Sequence, residues 1–234
     1  MRKLCATLLI VLIIPPVLAQ EKIVFSSANP FTFRDIILHL AKQESQDVFG
    51  TLTLPKTGAE DEKFPLIIAL AGSKGWATHH AEYIQMYHEM GIATFEIKSF
   101  ESRGVTSTVG SQVSVTTAMM VLDSYKALEF LSNHPNINSS KVAITGWSLG
   151  GGVALYAGWE PLRKAINPEY SFIAHLSFYP PCIVEPINLN FTSAPIRILI
   201  GEFDDWTPAD QCVDLVSKLQ SSGADIHVTV YPGS

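Results

Sequence analysis

The sequence predicts an α/β fold in which a mostly parallel central sheet is flanked by helices. Short, continuous apolar runs recur along the chain, stretches with helical apolar spacing separate them, and two N-terminal segments alternate apolar and polar residues. Continuous apolar runs are typical of strands buried on both faces of a parallel sheet, whereas alternation is typical of half-exposed strands. Strands that alternate with helices imply right-handed βαβ units, so binding chemistry is expected at the carboxyl ends of the strands.

The individual elements follow from the same patterns. Two alternating segments, KIVFSS and QDVFGTLTLP, predict strands at one antiparallel edge of the sheet. The apolar runs that predict buried strands are FPLIIALAG, GIATFEI, KVAITG, SFIAHLSFY, IRILIG and DIHVTVY. The stretches that predict helices are HHAEYIQMYHEM before Gly91, TTAMMVLDSYKALEFLSNHP up to Pro135, and PADQCVDLVSKLQSSG between Pro208 and Gly223.

Length and charge exclude several classes of protein. A chain of 234 residues with 47% hydrophobic content is long enough for one sizeable core, so residues 20–234 are expected to form a single domain. The formal net charge is −6; without Arg2 and Lys3 the 16 basic residues fall to 14 against 22 acidic ones, a net of −8. An acidic chain without runs of Lys or Arg has no electrostatic footprint for nucleic acid, so no such partner is expected.

The first 19 residues predict a secretory signal peptide. Arg2 and Lys3 form a positive start, residues 8–14 form an apolar core, and small residues lead to a cleavage site at Ala19. A membrane anchor is the alternative, but a spanning helix needs roughly 20 apolar residues and Pro15-Pro16 interrupts this segment. The mature protein is therefore expected to be periplasmic or secreted, without stable membrane insertion.

Two cysteines, Cys182 and Cys212, remain once the leader and its cysteine are set aside. An even pair in an exported protein is compatible with one disulfide, and the predicted fold puts both residues near the ends of neighbouring strands. Two buried free thiols are the alternative.

The strongest functional motif is the Gly-x-Ser-x-Gly of residues 146–150, between the strand KVAITG and a glycine-rich helix start. A nucleophile elbow requires that context. In so tight a turn the serine takes a strained backbone conformation, and a side chain at Gly146 or Gly150 would collide with the opposing backbone. The turn lifts the hydroxyl of Ser148 out of the sheet and aims the N–H of Leu149 at the attacked carbonyl. Ser148 is therefore the predicted nucleophile, and a structural turn with an incidental serine is the alternative.

Two loops add to the predicted site. The loop after FPLIIAL, residues 72–75, offers the N–H of Ser73 as a second oxyanion donor, with the N–H of Lys74 as the alternative. Asp204 and Asp205 directly follow the strand IRILIG, where a carboxylate can orient a histidine and stabilise its imidazolium form. Asp204 is preferred as the catalytic acid, which leaves the other aspartate a structural role.

Four motifs in chain order resemble those of the dienelactone hydrolase family of α/β-hydrolases, particularly its exported branch: LAGSKGW, SFESRGVTS, KVAITGWSLGGGVAL and IGEFDDWTPADQC. The likeness runs from about Phe64 to the end of the sequence. It implies an α/β-hydrolase fold and cleavage of small carboxylic esters or lactones through an acyl-enzyme, without metal or cofactor. In the family the acid stands four residues before a proline, as Asp204 does before Pro208.

The resemblance also suggests residues of the substrate pocket. Arg103 in SFESRGV is a candidate for holding a substrate carboxylate bidentately, with a loop ion pair to Glu101 or Glu96 as the alternative. Trp147 beside the nucleophile is a candidate wall of an apolar pocket, or a core residue, and Lys74 is a further candidate substrate-binding residue.

The sequence also departs from the family. The founding members carry cysteine at the elbow, and Ser148 favours a general esterase over true dienelactone activity, since a serine needs a stronger base. Ala71 stands where many superfamily members have a histidine. His79 and His80 are expected to be helix-start residues, with pocket lining as the alternative.

The catalytic histidine is the part of the predicted site that the sequence does not supply. Serine hydrolases of this fold place it after the last strand, but only PGS follows DIHVTVY, and the seven histidines all precede it or, like His227, lie within it. His227 is expected to point into the packing of the sheet. One interpretation is a truncated sequence, with the histidine just past Ser234 and a closing C-terminal helix beyond it. The other interpretation is a base-less, catalytically weak binding module. An exported peptidase or acyltransferase with the same triad is an alternative for the function, since elbow motifs do not separate ester from amide substrates.

Overall fold

The computed structural model describes residues 20–55 and 62–234, which form a mixed eight-stranded sheet in the order β1-β2-β4-β3-β5-β6-β7-β8. The strands are β1 Gln20–Ala28, β2 Ser45–Thr53, β3 Phe64–Leu70, β4 Ala93–Ile97, β5 Ile137–Trp147, β6 His175–Phe178, β7 Ile196–Gly201 and β8 Ile226–Tyr231. β2 pairs antiparallel with β1 and β4, and the other neighbouring strands of this sheet are parallel. The predicted fold class and the antiparallel edge are confirmed. The predicted leader, residues 1–19, lies outside the described residues.

Helices connect most of the strands. They are α1 Phe33–His39, α2 Thr78–Glu89, α3 Thr117–Leu131, α4 Leu149–Tyr156, α5 Glu160–Ile166 and α6 Ala209–Ser221. Sequence patterns predict α2, α3, α4 and α6 but not the two short helices α1 and α5. A signal for α1 is present, because the hydroxyl of Thr32 accepts the N–H of Asp35 while that carboxylate accepts the N–H of Thr32. Such reciprocal capping compensates for the short apolar face of a seven-residue helix.

The core has two parts, one on each face of the sheet. The larger cluster contains side chains of α1, α3, α4, α5 and α6, and the smaller one joins Ile84 and Tyr87 of α2 to Trp147 and Phe178. The sheet is therefore buried on both faces over its central strands, as continuous apolar runs require. None of the described helices is long and apolar enough to cross a membrane.

A disulfide joins Cys182, which follows β6, to Cys212 in α6, with their Cα atoms 5.0 Å apart. Cys212 is fully buried, and its sulfur also lies 3.4 Å from the carbonyl oxygen of Pro180. The disulfide ties the segment after β6 to the helix that follows the Asp204 loop.

Candidate active site

The elbow at Ser148 has the geometry that its glycine pattern predicts. Ser148 lies between β5 and α4 with φ 54° and ψ −116°, a positive-φ conformation that a serine adopts only under constraint. Its N–H donates to the carbonyl oxygen of Phe178 at 2.9 Å, and its carbonyl accepts the N–H of Gly152 at 2.9 Å. The hydroxyl is half-buried and makes no hydrogen bond to another described side chain, so it remains free for a substrate or a base.

Close approach of the backbone explains the glycines of the elbow. A Cβ placed on Gly146 would lie 2.1 Å from the carbonyl oxygen of Gly150, and one on Gly150 would lie 2.3 Å from the carbonyl oxygen of Leu70. A Cβ on Gly151 would lie 2.4 Å from the carbonyl oxygen of Phe178. These distances leave no room for a side chain, and they bring α4 against the carboxyl ends of β3 and β6.

The predicted oxyanion loop lies directly against the nucleophile. A Cβ on Gly72 would lie 3.2 Å from the Cβ of Ser148, which places the next residue, Ser73, at the elbow. The carbonyl of Gly72, which shares a peptide plane with the N–H of Ser73, accepts the N–H of Gly75 at 2.9 Å, and the carbonyl of Ser73 accepts the N–H of Thr108 at 2.8 Å. Its own N–H donates to no described group, and neither does that of Leu149, which opens α4. Two free N–H donors near one hydroxyl suit a tetrahedral oxyanion.

Asp204 has one carboxylate oxygen fixed and the other free. Its Oδ1 accepts the N–H of Trp206 at 3.0 Å and that of Thr207 at 2.8 Å, and Oδ2 has no partner among the described residues. The side chain is half-buried, whereas that of Asp205 is exposed. A carboxylate held through one oxygen can present the other to an imidazole N–H, which agrees with the preference for Asp204.

Tyr179 is a residue close to Asp204 that the sequence does not indicate. It follows β6 with φ 36°, and its N–H donates to the carbonyl oxygen of Leu199 at 2.7 Å. Burial raises the pKa of its hydroxyl, and the nearby charge of Asp204 and the phenol of Tyr83 raise this pKa further. No local sequence signal predicts a tyrosine with positive φ.

None of the seven histidines, all of which lie in the described ranges, is bonded to Ser148 or Asp204. His175 is buried within β6 and hydrogen-bonds the carbonyl oxygen of Ala154; burial lowers its pKa to about 4. His227 is exposed beside Asp225, so the expectation that it points into the sheet packing is wrong. The reason is that β8 is an edge strand whose outer face carries alternate exposed side chains.

His79 and His80 lie in the first turn of α2, as their helix-start interpretation predicts. His79 is exposed. His80 is buried, and its Nδ1 accepts the N–H of Ala77 at 2.9 Å. Burial lowers the pKa of His80 to about 4, with smaller contributions from the charges of His79 and Lys98. His80 is therefore neutral at pH 7 and serves the helix start.

Arg103 is enclosed by acceptors. Its Nη1 and Nη2 donate to the two oxygens of Asp123 at 2.8 and 3.0 Å. The remaining donors reach Asn29 Oδ1 and the carbonyl oxygens of Ser99 and Ala28. The side chains of Arg103 and Asp123 are 5% and 0% exposed.

These contacts contradict the substrate-binding role predicted for Arg103. A guanidinium has five N–H donors, and all of them are used inside the protein. The alternative partners, Glu101 and Glu96, are also wrong, because Glu96 pairs with Lys98 and Arg103 pairs with Asp123. Sequence spacing could not show this pair, since its members lie on different elements and meet only when α3 packs beside the loop after β4.

Arg103→Met is expected to lower the free energy of unfolding by about 3–5 kcal/mol, because it leaves Asp123 charged and buried without its cation. Urea denaturation provides the measurement. Lys126→Met is the matched control, since Lys126 pairs with Glu129 at the exposed side of α3, the helix that carries Asp123. This substitution should lower the free energy of unfolding by less than about 1 kcal/mol. Equal effects of the two substitutions would contradict a structural role for the buried pair.

Trp147 and Lys74 were the other candidate pocket residues. Trp147 is 1% exposed and stacks on Phe178 with ring centroids 5.4 Å apart, so it is a core residue and its predicted pocket role is wrong. Side chains alternate along a strand, and this alternation turns Trp147 toward α2 while the next residue leaves the sheet.

Lys74 is exposed, and its Nζ lies 5.5 Å from the ring centroid of Trp206, two residues after Asp204. Its substrate-binding role stays a prediction.

The sheet order, the elbow and the free N–H donors define the class of protein as an α/β-hydrolase. The model described as "Dienelactone hydrolase family" matches residues 84–234, which is more than half of the chain. The chain therefore belongs to the dienelactone hydrolase family.

Individual relatives are more distant. The curated protein "Protein usf" of Aquifex pyrophilus is 29% identical over 109 residues, which span 46% of this chain and 43% of that protein. Among solved structures, the apo form of Thermogutta terrifontis esterase 2 superposes with a TM-score of 0.63 at 16% identity, over 80% of this chain and 79% of the esterase. A dienelactone hydrolase-like promiscuous phosphotriesterase from metagenomic libraries gives a TM-score of 0.61 at 14% identity, over 92% and 83% of the two chains. At these identities the solved structures establish the fold.

Proposed function

We propose that the protein is a serine hydrolase that cleaves carboxylic esters or lactones through an acyl-enzyme. The observation that carries the proposal is the strained, half-buried Ser148, whose free hydroxyl lies beside the unpaired N–H groups of Leu149 and Ser73. Membership of the dienelactone hydrolase family supports it, as does the similarity in fold to a protein described as an esterase.

In the proposed mechanism the Oγ of Ser148 attacks the carbonyl carbon and its proton passes to a histidine. The N–H groups of Leu149 and Ser73 hold the resulting oxyanion. When the bond between the carbonyl carbon and the leaving-group oxygen breaks, the imidazolium gives its proton to the leaving-group oxygen. Water then repeats the sequence on the acyl-enzyme, and the free Oδ2 of Asp204 orients the histidine throughout.

We place the histidine just past Ser234. The carbonyl oxygen of Ser234 accepts the N–H of Phe203 at 2.8 Å, and the N–H of Gly233 donates to Glu202 at 2.9 Å. Residues 233 and 234 therefore lie against the start of the loop that carries Asp204. A histidine within a few residues of Ser234 has a short path to the free oxygen of that carboxylate.

The test uses the protein expressed from its complete reading frame. We expect hydrolysis of p-nitrophenyl acetate and of a simple lactone, and labelling by a fluorophosphonate probe on the peptide that contains Ser148.

A base-less binding module is the second candidate, favoured by the lack of any histidine contact to Ser148 or Asp204 within the described residues. It predicts ligand binding by calorimetry without turnover, and that result would reject the hydrolase proposal.

We also propose that the protein is exported to the periplasm or secreted after cleavage at Ala19. The positively charged start, the apolar core and the small residues before the cleavage site support this, and a Cys182–Cys212 disulfide is typical of oxidising compartments. Intact-mass and N-terminal analysis of the protein from its native host should find Gln20 as the first residue. A cytoplasmic protein that retains Arg2 would contradict export.

A further inference from the structure

Two residues other than glycine have positive φ in the described part of the chain, Ser148 at 54° and Tyr179 at 36°. They occupy the same level of the sheet, because Trp147 of β5 is in register with Phe178 of β6 and each residue directly follows its strand. An aromatic residue rarely adopts this backbone, and such conformations persist only where the surrounding structure imposes them, often at functional sites.

Tyr179 lies between the strand of the nucleophile and the strand of the acid. Ser148 donates its N–H to the residue before Tyr179, and Tyr179 donates its own N–H to Leu199 of β7, the strand that leads to Asp204. The ring packs against both apolar clusters. The hydroxyl group has no hydrogen-bond partner among the described residues, and the side chain is half-buried.

The sheet order assigns the two sides of a bound ester. β3 and its oxyanion loop lie on one side of β5, and β6 and β7 lie on the other. The carbonyl oxygen of a substrate attacked by Ser148 therefore points toward β3. We take the leaving group to extend to the other side, toward the carboxyl end of β6, which Tyr179 directly follows.

We propose that the hydroxyl of Tyr179 donates a hydrogen bond to the leaving-group oxygen of the ester or lactone, an inference that rests on the proposed function. As the carbon–oxygen bond breaks, negative charge develops on this oxygen, and a donor fixed in place stabilises that charge. The leaving group receives its proton from the histidine, so Tyr179 keeps its own. Burial and the charge of Asp204 favour the protonated phenol, which is the form that can donate.

The leaving group provides the test. Ethyl acetate and p-nitrophenyl acetate form the same acetyl-enzyme, so their kcat/KM values differ only through acylation and departure of the alcohol. Ethoxide is a poor leaving group, so its departure depends on a hydrogen bond that stabilises the negative charge on its oxygen. p-Nitrophenolate delocalises that charge over its ring and depends little on such a hydrogen bond. In the protein from the complete reading frame, Tyr179→Phe should lower kcat/KM about tenfold for ethyl acetate and less than about twofold for p-nitrophenyl acetate.

Tyr170→Phe is the matched control, because Tyr170 is also half-buried and packs against the larger cluster, at the opposite end of β6. It should change neither rate. Equal losses on both esters with Tyr179→Phe would mean that the residue only supports the structure, and no loss would remove it from the site; either result overturns the inference. A wild-type protein that hydrolyses neither ester would instead reject the proposed function, and this inference with it.

Discussion

Replacing Ser148 by alanine is expected to lower kcat for ester hydrolysis roughly 10⁶-fold, the loss seen when the nucleophile of a serine hydrolase triad is removed. Any residual rate would come from the oxyanion donors, which are backbone groups that the substitution leaves in place. Alanine removes only the hydroxyl, and its side chain is smaller than that of serine, so the elbow should keep its backbone. Ester hydrolysis by the protein from the complete reading frame, followed to long reaction times, provides the measurement.

Ser140→Ala is the matched control for Ser148→Ala. Ser140 lies on the same strand β5 toward its amino end, where its exposed hydroxyl donates to Asn138 and to no other described residue. The control should retain full activity and full labelling by the fluorophosphonate probe, whereas Ser148→Ala should lose both. Turnover that survives Ser148→Ala at more than about one thousandth of the wild-type rate would show that another group performs the attack.

Features determined by short stretches of sequence could be predicted. The elbow is one of them, because the glycines must accommodate backbone atoms between 2.1 and 2.4 Å from a Cβ position, and only glycine satisfies that condition. The buried strands are another, because continuous apolar runs suit a sheet covered on both faces. The position of Asp204 and Asp205 after β7 is a third, whereas the choice of Asp204 as the acid rests on its spacing to Pro208 and stays a prediction.

Features determined by contacts between distant segments could not be predicted. Arg103 and Asp123 are 20 residues apart, and nothing near either residue indicates that the other is its partner. Tyr179 has its positive φ where its N–H donates to Leu199 of the neighbouring strand, and the sequence does not specify the alignment of these two strands. The pocket role predicted for Trp147 is wrong for a related reason. Trp147 is next to the nucleophile in sequence, but successive side chains of a strand point to opposite faces of the sheet, so its ring lies in the core.

The short helix α1 is an intermediate case. Its capping residues, Thr32 and Asp35, form a recognisable pair in the sequence, but the apolar face that follows is too short for periodicity to indicate a helix. The capping pair therefore indicates this helix, whereas the apolar spacing does not.

Replacing Asp204 by asparagine is expected to lower kcat roughly 10⁴-fold while the fold stays intact. The Oδ1 of Asp204 accepts two backbone N–H groups, and an asparagine oxygen can accept both of them in the same place. The amide nitrogen then occupies the position of Oδ2. It donates where the carboxylate accepted, so it cannot hold the N–H of an imidazole and favours the wrong tautomer.

Asp205→Asn is the matched control, since Asp205 is the next residue and is exposed. Its substitution changes the net charge by the same amount. Hydrolysis of p-nitrophenyl acetate and thermal unfolding should be measured for both variants of the protein from the complete reading frame. We expect equal melting temperatures and a large loss of kcat for Asp204→Asn alone. A large loss for Asp205→Asn instead would move the acid by one residue. Equal, small losses for both would mean that neither carboxylate orients the base, and the Ser–His–Asp mechanism would then have to be abandoned for this protein.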